Sequence, residues 1–129
     1  MNHRPFFSAV AVAVVLTVGV TACGSSDEPT SVALDDPELA LGAEVYEQSC
    51  ASCHGTDLRG TDKGPSHLSI VYEPNHHPDD AFRSAIVNGA PQHHWPFGDM
   101  PPVEGLSDDE VEAVIAFVRS EQQRLGFEQ

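Results

Sequence analysis

Cys50-Ala51-Ser52-Cys53-His54 is the stretch on which the reading of the whole chain turns. On a helical turn, two thiols three positions apart lie on the same side. The imidazole of the next residue projects beside them. That set suits a flat macrocycle carrying two vinyl groups and a central metal. Each thiol adds to one vinyl, and His54 reaches the metal from one face. The spacing is the attachment signature of haem c. Two other readings of a CxxC fit less well. A thioredoxin-like redox pair expects a βαβ context, and no such pattern is visible. A four-ligand zinc site expects a second CxxC, and none follows in the sequence.

The chain has 129 residues and three cysteines. Two belong to the motif and one is Cys23, which leaves no pair for a disulfide. A single motif and the lack of an internal repeat imply one haem.

Upstream, His3 and Arg4 precede an apolar run from Phe6 to Val20. The run is shorter than the about 20 apolar residues that a membrane span needs, and it has the length of a signal h-region. Residues 1–22 therefore read as a secretory signal. Val20-Thr21-Ala22-Cys23 resembles the lipobox of bacterial lipoproteins, which implies that Cys23 is acylated and becomes the mature N-terminus. Residues 23–35 are small, polar and acidic, and read as a lipidated flexible linker. As a coil, its twelve residues after Cys23 would span about 20 Å on average. The expected location is the extracytoplasmic face of the bacterial cell membrane, held by lipid. Haem attachment in bacteria takes place on that side.

Removing residues 1–22 takes away Arg4 and no acid, which leaves 5 basic residues against 20 acidic ones and a formal charge of −15. Such a chain repels nucleic acid and favours redox partners with a basic docking surface. The same charge also serves solubility.

Downstream, the sequence predicts three main helices. The first opens at Asp36-Pro37 and ends near Cys50, with Leu39, Gly42, Tyr46 and Ser49 on one face. The second runs from about Pro78 to Asn88, with Phe82 and Ile86 on one face and Gly89 as a left-handed cap. The third follows the capping box Ser107-Asp108-Asp109-Glu110, with Val111, Val114, Ile115 and Val118 at helical spacing. It is expected to fray after Gln123. The domain is 36–125, with 126–129 as a tail. The intervening segments 55–77 and 90–106 are long for a compact domain and show no strand period. A haem gives them something to wrap, and it supplies the core that so short a domain lacks.

Low-spin haem iron takes a second axial ligand, histidine or methionine. Met1 is lost with the signal, so Met100 is the only methionine of the mature chain. It sits in Phe97-Gly98-Asp99-Met100-Pro101-Pro102, a loop stiffened by proline. His93 and His94 lie six or seven residues earlier and are rivals, as are His67, His76 and His77.

Residues 36–125 resemble the class I mono-haem bacterial cytochromes c. Gly42, Tyr46 and Cys50, spaced by fours, resemble that family's first helix. Cys50–His54 is its attachment motif. Gly64-Pro65 resembles its loop proline, Met100-Pro101 its distal-ligand loop, and the helix after Ser107 its closing helix. The resemblance implies an all-α small cytochrome c fold, with long loops wrapped around one covalent haem c. It implies that Gly42 lets the last helix cross closely, with Phe117 as partner. It implies that the Pro65 carbonyl holds the His54 Nδ1–H. The Asn75-His76-His77 stretch and the dense aromatics before Met100 depart from the family pattern.

Other residues carry weaker signals. His67, His76, His77, His93 and His94 read as solvated loop residues, with neighbouring pairs open to copper or zinc. Trp95 and Phe97 read as haem-packing aromatics. Arg59 and Lys63 are either propionate partners or ordinary surface. The function expected is a single-electron carrier, not an enzyme. Two alternatives stand beside it. One is catalysis or sensing at a five-coordinate haem, which requires that Met100 stay off the iron. The other is a metal-handling lipoprotein that uses the paired histidines.

Overall fold

The computed structural model describes residues 35–129. The signal 1–22, Cys23 and the linker up to residue 34 lie outside the described residues. Four helices follow in order: α1 (Pro37–Ser49), α2 (Ala51–His54), α3 (Asp79–Asn88) and α4 (Asp108–Leu125), with a 3₁₀ turn at Ile70–Tyr72 before α3. Among the described residues there is no β-strand, only the isolated bridges Ser69–Glu128 and Ala90–Met100. No helix among them is long and apolar enough to cross a membrane.

The first and last of the three longer helices start where their capping chemistry predicts. The Asp36 carboxylate accepts from the Glu38 amide at 2.9 Å, and Pro37 fills the first helical position. Ser107 and Glu110 form the reciprocal capping box of α4, with the Ser107 amide donating to Glu110 Oε2 at 2.8 Å. Those hydrogen bonds from Ser107 also lower the Glu110 pKa. Pro78 stands at the N-cap of α3 and not inside it, and Asp79 and Asp80 occupy the first turn. Helix α4 continues to Leu125, two residues beyond the expected fraying point, and Gly126 caps it.

Helices α1 and α4 share the most extensive packing of any pair. Gly42 makes this possible. A Cβ there would overlap the Ala113 carbonyl and lie 2.7 Å from the Phe117 Cβ, so the two backbones meet directly. Tyr46 fills the crossing beside it, its ring centroid 5.5 Å from that of Phe117 and its hydroxyl donating to the Gly55 carbonyl at 3.0 Å. The expected glycine–aromatic crossing is therefore observed. Gly42→Ala must push the helices apart, because the obstacle is backbone. Overpacking of this kind costs about 3 kcal/mol, which is on the order of 10–20 °C in Tm for a domain of this size. Thermal melts of the haem-loaded variant measure it, and an unchanged Tm would show that the helices do not touch at Gly42.

The core runs from Val45 and Tyr46 on α1 through Val111, Val114, Ile115 and Val118 on α4 to Phe82 and Ile86 on α3, and reaches Leu58 and Leu68 in the loop between. The C-terminal residues are tied to the loop beside it by backbone hydrogen bonds. The Glu128 amide donates to the Leu68 carbonyl at 2.7 Å, and the Ile70 amide donates to the Glu128 carbonyl at 2.8 Å.

Candidate haem site

Helix α2 is a single turn set directly after α1, and it carries Cys53 and His54. Cys50 caps it. The two thiols are partly buried and unpaired. Burial, aided by the neighbouring Cys53, pushes the Cys50 thiol up to about 11. A redox-active CxxC has a lowered thiol, so this environment argues against the thioredoxin-like reading.

His54 is buried, and its Nδ1 lies 2.9 Å from the Pro65 carbonyl. A carbonyl only accepts, so Nδ1 carries the proton and Nε2 keeps its lone pair. Burial lowers the His54 pKa, which keeps the ring neutral near pH 7. The sequence supports this locally. Gly64 packs against the backbone of Cys53, where a Cβ would stand 3.0 Å from the carbonyl, and Thr61 Oγ1 donates to that same carbonyl at 2.7 Å. The 55–68 loop is thereby wound tightly back under the motif.

A cavity of about 360 Å³ opens beside these residues. Cys50, His54 and Pro65 line it, as do Met100, Gly89, Ala90 and Trp95. Its size is within the range of organic-ligand sites. The mostly apolar wall, the two thiols, a neutral imidazole with a free Nε2 and a thioether all fit a haem. Cys53 stands one turn from Cys50, outside the cavity lining, with Ser52 Oγ near its sulfur at 3.8 Å.

Met100 is held by its backbone. Its amide donates to the Ala90 carbonyl at 2.8 Å, and the Ala90 amide returns the bond at 3.0 Å. Gly89 makes room for this. It ends α3 at φ +77° with ψ 174°, an extended turn and not the expected left-handed cap, and a Cβ there would sit 2.6 Å from the Met100 carbonyl. The loop is pinned further by Gln92, whose amide donates to Asp99 at 2.8 Å and whose side chain accepts from Gly98 at 2.7 Å.

One histidine departs from the expectation of solvated loops. His67 is buried, stacked on His54 at 4.1 Å between centroids, and edged by Tyr46 and Tyr72. Burial holds its pKa well below the ordinary histidine range, and its Nδ1 has no partner. It is held there by tertiary hydrogen bonds: its amide donates to Leu58, and its carbonyl accepts from Gln122 Nε2 at 2.7 Å. Arg59 pairs with Glu128 at 3.0 Å and, like Lys63, lies outside the cavity lining. Trp95 and Phe97 do line it.

Arg119 was not singled out by its sequence context. Only 12% of its side chain is exposed, and it reaches three segments at once. It bonds Asp79 at 2.7 Å, the Tyr72 carbonyl at 2.7 Å and the His77 carbonyl, and its guanidinium lies 4.6 Å from the Phe82 centroid. A buried charge among loop carbonyls has no periodic signature. The only hint is a cation on the otherwise core-facing side of α4.

An α1–α4 crossing closed over a CxxCH turn, with a cavity faced by histidine and methionine, defines a c-type haem domain. The Cytochrome c family profile matches residues 39–122, and the chain belongs to that family. Its cofactor is haem c, and its role is electron transfer by that haem. It is similar to the cytochrome c-551 of Bacillus subtilis, 36% identical over 113 residues, which cover 84% of this chain and 89% of the relative. It also resembles a cytochrome bc1 complex cytochrome c subunit of Corynebacterium efficiens, 32% identical over 54% of this chain and 26% of the relative. A cbb3-type cytochrome c oxidase subunit, CcoP of Rubrivivax gelatinosus, is 28% identical over 72% of this chain and 29% of the relative. In those two longer proteins the match spans little more than a quarter of the length.

Proposed function

We propose that this chain is a lipid-anchored single-electron carrier whose haem is thioether-linked to Cys50 and Cys53 and whose iron lies between His54 and Met100. The observation that carries this is the shared cavity, in which both candidate ligands are fixed by backbone bonds. When bound, the haem supplies an iron that takes up and releases one electron. The Pro65 carbonyl selects the His54 tautomer that leaves Nε2 free. The Ala90 pair fixes where the Met100 thioether stands. His54 and Met100 would together hold the iron, which would leave substrate no open position, and the soft sulfur would favour the ferrous state. The rival histidines His93 and His94 direct their Nε2 atoms toward His77 and His76.

Charge supports the choice of partner. Four of the five basic side chains of the mature chain, Arg59, Arg83, Arg119 and Arg124, are tied to carboxylates. The acidic excess therefore dominates the surface, and a partner with a basic docking face is favoured. The likeness to bc1 and cbb3-type oxidase subunits supports redox proteins as those partners. The lipid on Cys23, on the extracytoplasmic face, keeps the domain near them and raises its effective concentration.

Stopped-flow electron exchange between the reduced protein and a basic redox protein tests this. The rate should fall at least about tenfold between low salt and about 0.5 M, because steering acts beyond the Debye length. A rate indifferent to salt contradicts the basic-partner reading. In cells, Cys23→Ser should release a soluble cytochrome with an unchanged spectrum. A variant that stays in the membrane contradicts the lipid anchor.

A further inference from the structure

We propose that His76, His77 and His94, with His93 beside His77, form a binding site for one divalent zinc-type cation, separate from the haem iron. The four imidazoles come from two loops and meet at the mouth of the cavity. His76 Nε2 lies 3.3 Å from His94 Nε2, and His77 Nε2 lies 3.5 Å from His93 Nε2. His76, His77 and His94 each offer a ring nitrogen within 4.8 Å of the others. A zinc–nitrogen bond of 2.0–2.1 Å sets a tetrahedral edge of about 3.3–3.4 Å. The His76–His94 pair has that spacing, and the His77–His93 pair at 3.5 Å is slightly wider.

The tautomers strengthen the case. His77 Nδ1 lies 2.7 Å from the Val71 carbonyl, and His93 Nδ1 lies 2.7 Å from the Pro91 carbonyl. Each Nδ1 must therefore carry its proton, so in the neutral rings both Nε2 atoms present lone pairs. Two lone pairs facing at 3.5 Å have no hydrogen bond to make. A shared cation resolves that contact. The carbonyls orient the rings as the outer partners of metal-bound histidines do.

Both loops are braced for the task. Arg119 bonds the Tyr72 and His77 carbonyls and Asp79, which fixes the first loop. The Gln92–Asp99–Gly98 bonds fix the second. Nitrogen-only donors select zinc or copper over magnesium or calcium. His76, His93 and His94 are exposed, so a cation reaches the site from solvent.

Tag-free, haem-loaded protein should first be stripped with a chelator and then titrated calorimetrically with Zn²⁺ alone. One ion per chain is expected, with Kd of about 1 μM or tighter. The zinc-edge absorption spectrum should show nitrogen at about 2.0 Å with imidazole scattering. The double substitution His76→Gln and His94→Gln changes only exposed side chains. It should weaken binding by at least about 100-fold, and the single His76→Gln variant, whose substitution lies outside the cavity lining, should keep the haem spectrum and weaken binding by about tenfold. Absence of one-to-one binding, equal affinity in the double variant, or zinc held by carboxylates alone would each overturn the proposal.

Discussion

Met100→Ala is expected to open the iron of the haem-loaded protein to carbon monoxide and to lower its reduction potential. Met100 is the only methionine among the described residues, and it lines the cavity that His54 also lines. Its loop is anchored through Ala90, so shortening the side chain removes the thioether while the backbone stays in place. The thioether favours ferrous iron, and axial ligands command about 0.8 V of haem potential in all. A fall on the order of 100 mV or more is therefore expected. Carbon monoxide binding should go from undetectable to one per haem. Redox titration and a carbon monoxide difference spectrum measure the two effects. If neither changes, Met100 is not the ligand, and His93 and His94 become the residues to substitute next.

A chain made without haem-attachment machinery should be largely unfolded. The cavity of about 360 Å³ lies among Tyr46, His54, Phe82, Ile86 and Val114, at the meeting of α1, α3 and α4. Left unfilled, a volume of that size would cost up to about 9 kcal/mol at about 24 cal/mol per Å³. Water entering its open mouth reduces that figure. The total stability of a small domain is only about 5–15 kcal/mol. No disulfide among the described residues offsets the loss. Far-ultraviolet circular dichroism of the apo-chain should show little helix. A cooperative melt with full helical signal would mean that the α1–α4 crossing at Gly42 sustains the fold alone.

The sequence reveals the parts of the molecule that repeat or cap. Asp36-Pro37 and Ser107–Glu110 start helices because their side chains satisfy free backbone amides, which is a local affair. The CxxCH turn is local as well. Gly42 and Tyr46 fall on one helical face by period, but their role at a helix crossing was readable only through the family resemblance, because a close crossing leaves no periodic trace. The long loops were legible in extent and at Pro65 and Met100, but not in their course. Residues 55–77 and 90–106 are shaped by bonds to distant segments, such as Gln122 to His67 and Arg119 to Tyr72 and His77. The burial of His67 and the meeting of two histidine pairs 16 and 18 residues apart follow from that wiring. Gly89 shows the same limit: a helix-ending glycine was foreseen, but its extended ψ is set by Met100 across the bridge.

The unsubstituted holo-protein offers the most direct test of the carrier account. Its ferric spectrum should contain the weak charge-transfer band near the red end that thioether ligation produces, and carbon monoxide added after reduction should leave the ferrous spectrum unchanged. A ferrous protein that binds carbon monoxide readily, with no such ferric band, would contradict His54/Met100 ligation and with it the closed-iron electron carrier.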